Sequence, residues 1–214
     1  MSVFVYDRKL SYYPVPKIAC TSLKKVFFYI QNDVNPNDLI TNGKKLNIHR
    51  VYTSVAFAQS APQDREDHFR VTVVRDPVAR LLSCYSNRVV HHQELSAPRF
   101  KKAALNEGLR PDPTLSEFVD NLEGYRKHFG TITHHSDPMT AYLGEDPAWF
   151  SRIFGLHQME DLRQTLEERT GKSLVIGRDQ TGGPKFSRDD LTPRQIARIE
   201  EFYARDYELF GRYL

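Results

Sequence analysis

Phe69-Arg70-Val71-Thr72-Val73-Val74-Arg75-Asp76-Pro77-Val78-Ala79-Arg80-Leu81-Leu82-Ser83-Cys84-Tyr85 is the stretch from which the fold is read. Its first six residues form a compact β-branched run of the kind buried in a parallel sheet. Asp76 then offers an N-cap and Pro77 the first helical position, so a helix starts there. Val78, Leu81, Leu82, Tyr85 and Val89 recur at helical spacing, which turns one face toward the sheet and leaves Arg80 and Ser83 off its centre. Arg80 is expected to make an ordinary ion pair near the helix start.

Upstream, short β-rich runs at Val3–Tyr6 and Ser11–Val15 lead into Thr21–Ile30, where Leu23, Val26, Phe27 and Ile30 fit one helical face. Two strand-to-helix units predict an α/β fold with a central, mainly parallel sheet flanked by helices. Between the two units, Asn32–Lys45 reads as a connection, Leu46–Tyr52 as a short strand and Val55–Ala61 as a brief helix. Residues 90–147 form a long polar insertion with helical pieces at Arg99–Asn106 and Leu115–Leu122, then a Pro/Gly-punctuated segment from Thr131 to Pro147. Arg152–Leu156 is a further strand, Met159–Thr170 a helix ended by Gly171, and Pro193–Phe210 a terminal helix.

A chain of 214 residues, 40% hydrophobic and 27% charged, is expected to be one domain, residues 1–214, with an ordinary core. The net charge of +3, with no basic stripe, argues against nucleic acid as a partner while suiting a polyanionic ligand. Cys20 and Cys84 read as free thiols in a reducing compartment. The N-terminal stretch has neither a signal-peptide pattern nor a membrane span, so no membrane insertion and a cytoplasmic location are expected, unless the chain belongs to a longer, membrane-anchored protein.

In Pro16-Lys17-Ile18-Ala19-Cys20-Thr21-Ser22-Leu23-Lys24, a strand feeds a loop of small and hydroxylated residues that opens a helix. Free amides and the macrodipole at a helix N-terminus favour an anion, Thr21 and Ser22 add hydroxyls, and Lys17 adds a full charge. Arg75 ends the second strand, where open α/β sheets bind ligands, and Ser83 lies two helical turns on. The P-loop phosphotransferases share this logic but need Gly-x-x-x-x-Gly-Lys-Ser/Thr, which the chain lacks.

The loop and the Arg75-Asp76-Pro77-x-x-Arg80-x-x-Ser83-x-Tyr85 pattern together resemble the sulfotransferases that use 3′-phosphoadenosine 5′-phosphosulfate (PAPS), in particular the carbohydrate-modifying heparan and chondroitin branch. The resemblance implies a P-loop-like sulfotransferase fold and transfer of a sulfuryl group from PAPS to a hydroxyl, leaving PAP. It implies that Lys17, Ala19, Cys20, Thr21 and Ser22 hold the 5′-phosphosulfate and that Arg75 and Ser83 hold the 3′-phosphate. It extends weakly to 154–162 and to the closing helix, and leaves 90–147 as an acceptor-side insertion. A catalytically silent PAPS- or PAP-binding module is the alternative from another class.

Sulfuryl transfer through a loose, in-line transition state leaves the protein mainly positioning and charge stabilisation, which makes Lys17 the group that neutralises the departing nucleotide. His49, whose position in the chain resembles that of the family's acceptor-facing histidine, is the expected general base. No metal is expected: the pairs His91-His92 and His134-His135 point in divergent directions and read as surface or groove residues. Lys185, in Gly182-Gly183-Pro184-Lys185, reads as a solvated loop lysine, with nucleotide contact as the second possibility.

Overall fold

The computed structural model describes residues 2–41, 43–60, 66–179 and 182–214. The strands are β1 (Val3–Val5), β2 (Leu10–Tyr13), β3 (Ile40–Thr41), β4 (Lys44–Lys45), β5 (Phe69–Val74) and β6 (Arg152–Gly155). The helices are α1 (Cys20–Asn32), α2 (Ile48–Val51), α3 (Pro77–Cys84), α4 (Lys102–Asn106), α5 (Leu115–Asp120), α6 (Leu122–His128), α7 (Gly130–Ser136), α8 (Thr140–Leu143), α9 (Met159–Thr170), α10 (Pro193–Phe202) and α11 (Ala204–Phe210). The chain divides into two compact units. One holds residues 1–75, 139–179 and 209–214, the other 76–138 and 180–208.

The first unit is built on a sheet of order β1-β2-β5-β6, antiparallel at β1-β2 and parallel across β2-β5 and β5-β6. This is the α/β fold with a mainly parallel sheet that the two strand-to-helix segments predict. Val71, Val73 and Val74 of β5 are buried, as befits a strand with parallel neighbours on both sides. The Thr72 hydroxyl donates to the Tyr13 carbonyl at 2.8 Å. Tyr12 stacks on Phe27 of α1 with ring centroids 5.0 Å apart, fixing that helix to the sheet. At the end of β6, Gly155 has no room for a side chain: a Cβ there would lie 2.6 Å from the Tyr213 carbonyl and 2.5 Å from the His157 ring.

In the second unit, Asp76 caps α3 by accepting from the Ala79 amide at 2.8 Å, with Pro77 behind it, as the sequence predicts. Asp76 also accepts from the Tyr207 hydroxyl at 2.8 Å, and burial with this neighbouring carboxylate pushes the Tyr207 phenol up. Val78, Leu81 and Leu82 of α3 share a core with Phe118, Tyr125, Ile132, Ile199 and Tyr203. The helix runs on into a wide π-type turn, Tyr85–His91, on which the glycine loop sits. Ser86 donates to the Pro184 carbonyl at 2.5 Å, and a Cβ on Gly183 (φ +98°) would meet Ser86 at the same distance.

Four expectations are corrected. Leu46–Tyr52 is not a strand: Asn47 accepts from the His49 amide at 3.0 Å and starts the single helical turn α2, a local side-chain-to-backbone bond outweighing β propensity. Residues 131–147 are largely helical, forming α7, α8 and a 3-10 turn at Pro147–Trp149. Among the described residues Arg80 makes no ion pair near the helix start. It is fully buried, donates to the Asp137 carbonyl and lies over the Tyr203 ring at 5.3 Å, while Tyr203 donates to the Ser136 carbonyl at 2.6 Å. The terminal helix breaks at Tyr203 into α10 and α11. Of Val55–Ala61, Phe57–Ser60 forms a 3-10 turn, and Ala61 lies outside the described residues.

Gly155→Ala should destabilise the protein by about 1–3 kcal/mol through overpacking against backbone that cannot yield. Thermal denaturation of the variant, set against Gly177→Ala, where a Cβ meets nothing within 4 Å, checks this.

Candidate functional site

The loop from Pro14 to Ala19 turns the chain from the end of β2 into α1. It does so with two non-glycine residues in the left-handed region, Lys17 at φ 68° and Ala19 at φ 50°. Such conformations are costly for residues with a Cβ and gather at functional sites. Ala19 is the N-cap and offers no side-chain acceptor, so the first amides of α1 have no side-chain cap. Arg75, at the end of β5, donates to the Lys17 carbonyl at 3.2 Å and ties the two strand ends together. Lys17, Ala19, Cys20, Thr21, Ser22 and Arg75 thus follow the C-terminal ends of the two central strands of the first unit's sheet, β2 and β5. Ser83 is half-buried on α3, in the second unit.

Residues three apart on a helix share a face, and the start of α1 presents two such pairs, each gripped by a distant residue. His49 grips the first: its Nε2 is 2.9 Å from Thr21 Oγ1 and its Nδ1 is 3.4 Å from Lys24 Nζ. Asp179 grips the second: its carboxylate accepts from Ser22 Oγ at 3.0 Å and from Lys25 Nζ at 2.5 Å, and its amide donates back to Ser22 Oγ at 3.1 Å. The structure therefore brings His49, expected from sequence, onto the first turn of the helix that the anion loop opens.

Lys24 itself has no exposed surface. Its ammonium donates to Ser54 Oγ at 2.8 Å, and burial holds its pKa below the usual lysine value, with Cys20 acting in the opposite sense. Burial, with Cys20 adding to it, likewise pushes the Tyr12 phenol well up. Neither cysteine forms a disulfide; Cys20 is half-buried and Cys84 buried.

Sequence reasoning missed Lys24, Ser54 and Asp179. A signal for Lys24 was present, since it borders the apolar stripe of Leu23, Phe27 and Ile30, where a lysine must either snorkel or find partners. Nothing in the sequence marks Asp179, which reaches α1 from 157 positions beyond Ser22. His91-His92 and His134-His135 form edge-on ring pairs with centroids 4.8 and 5.0 Å apart. Among the described residues no three His, Cys, Asp or Glu side chains are placed to hold a metal ion, and no helix is long and apolar enough to cross a membrane.

Replacing Asn47 by Ala removes the cap of the turn that carries His49. It should cost about 1 kcal/mol of stability, with Asn47→Asp near wild type, as read by chemical denaturation.

Among known protein families, the one described as the Sulfotransferase family matches residues 3–213 of the chain. No curated protein matches it.

Proposed function

We infer the function from one premise: this chain belongs to the sulfotransferase family. It is an enzyme, and the reaction that membership implies is transfer of the sulfuryl group of PAPS to an acceptor. The acceptor we propose is a carbohydrate hydroxyl, on the resemblance of the 16–24 and 75–85 segments to the carbohydrate-modifying branch.

The residues at the start of α1 fit a phosphosulfate. Cys20, Thr21 and Ser22 open a helix whose N-cap, Ala19, supplies no side-chain acceptor and whose N-terminal end favours negative charge, with the Lys17 charge in the loop before them. In the proposed assignment Lys17, Ala19, Cys20, Thr21 and Ser22 hold the 5′-phosphosulfate, Arg75 binds the 3′-phosphate, and Ser83 is a further candidate for it. Lys17 neutralises charge on the bridging oxygen as the S–O bond to PAP breaks, and His49 takes the proton of the attacking hydroxyl. The observation that carries this reading is the 2.9 Å contact between His49 Nε2 and Thr21 Oγ1, which joins the candidate base to the first turn of the anion-binding helix.

Calorimetric titration with PAP in metal-free buffer, with ATP as comparator, tests the nucleotide site. PAP is expected to bind without magnesium, and Arg75→Ala to weaken it by about 2 kcal/mol, near thirtyfold, for loss of a charge-assisted hydrogen bond. Folded protein that ignores PAP would overturn the assignment. In turnover with PAPS and a panel of glycosaminoglycan acceptors, His49→Ala should bind PAP normally yet lose about a hundredfold or more in rate. Lys17→Ala should lose about a hundredfold to a thousandfold.

A further inference from the structure

A lysine with no exposed surface, bonded to a serine hydroxyl and an imidazole, is costly to keep charged. Among the described residues no carboxylate pairs with Lys24; the neighbouring Asp179 is taken by Lys25 and Ser22. Among the described residues, the titratable groups that bear on Lys24 are His49 on α2 and Cys20 one turn back on α1, and Cys20 in turn bears on Tyr12 of β2. Lysines in such settings titrate readily and serve in proton transfer.

The bond between Lys24 Nζ and His49 Nδ1 admits two proton arrangements. With Lys24 an ammonium, Nζ donates, Nδ1 accepts, and a neutral ring must carry its proton on Nε2. The ring then has no lone pair for a hydroxyl at that nitrogen. With Lys24 a neutral amine, Nδ1–H donates to Nζ and Nε2 is left as an acceptor. The Thr21 hydroxyl, 2.9 Å from Nε2, shows that this nitrogen accommodates a hydroxyl partner. Only the second arrangement leaves His49 competent as a base.

We propose that Lys24 and His49 form one proton-accepting pair, in which the buried lysine is a positioning residue and the final store of the proton that His49 takes from the acceptor hydroxyl. The inference rests on the reading of His49 as the base. As the acceptor oxygen bonds to sulfur and the sulfur–oxygen bond to PAP breaks, the acceptor O–H bond breaks and Nε2–H forms. Nδ1–H then breaks and Nζ–H forms, leaving neutral imidazole beside a Lys24 ammonium that donates to Ser54. The pair titrates as a unit. Its acid form is inactive, so turnover rises with pH through a lysine-dependent midpoint. Burial of Lys24, which favours the neutral amine, lowers that midpoint from the usual lysine value, with Cys20 acting in the opposite sense.

The test is ring-nitrogen NMR on the full chain labelled with 15N-histidine, with His49 assigned by its loss in His49→Asn. The wild-type ring should change tautomer as pH rises, from Nε2–H to Nδ1–H, without an accompanying change in ring charge. Lys24→Met should abolish that tautomer change and leave the ring to titrate in a single step, with a change of ring charge. Lys24→Arg, permanently charged, should hold Nε2–H throughout and lose about a hundredfold in turnover with PAP affinity unchanged. A wild-type ring that keeps one tautomer at every pH above its own titration overturns the pairing, whether or not the variants fold. If instead the tautomer change is present and His49→Asn turns over normally, the base reading fails while the pairing stands.

Discussion

The structure depends on the chain reversal between β2 and α1, made with left-handed backbone at Lys17 and Ala19 rather than with glycine. Each such residue costs about 1–2 kcal/mol. The surrounding packing has to over-determine the loop, and Val15 and Ile18, both buried, anchor it from within the core. Because β2 and β5 are parallel neighbours, their C-terminal ends lie side by side, and Arg75 closes the arrangement on the Lys17 carbonyl. Helix start, loop lysine and strand-end arginine are set by this single turn.

The first two turns of α1 do two jobs on adjacent faces. One face buries Leu23 and Phe27 in the core of the sheet, while Thr21, Ser22, Lys24 and Lys25 meet partners from far along the chain. The more accessible part of this network, the half-buried pair of Lys25 with Asp179, remains open to water and to screening by salt. The buried part is of another kind, since a lysine without exposed surface answers to proton occupancy rather than to screening by salt.

How much was legible in the sequence follows from how local each signal is. The runs at 69–74 and 76–85 carried strand, cap and helix within a few residues, and the structure repeats them. The loop at 16–22 was legible by composition, although its left-handed residues were not, because Lys17 and Ala19 carry no sequence mark of φ > 0. The turn holding His49 was misread because a single Asn47 cap outweighs a β-branched pattern over so short a span. Arg80, Lys24 and Asp179 owe their surroundings to residues tens of positions away, which no window along the chain contains.

The parallel pairing of β5 with β6 has a consequence for how the molecule comes into being. Arg70 and Ser151, which bond at this junction, are 81 positions apart, and most of the second unit lies in the chain between them. Closing so long a loop costs entropy before the new ladder returns anything, and pairings of high sequence separation form slowly. Until β6 arrives, β5 presents a β-branched, hydrogen-bonding edge with no neighbour on one side, a template for association with other chains. During synthesis the interval after β5 and before β6 is therefore a stage at risk, and crowding or heat should act on the yield of folded protein before they act on the finished fold.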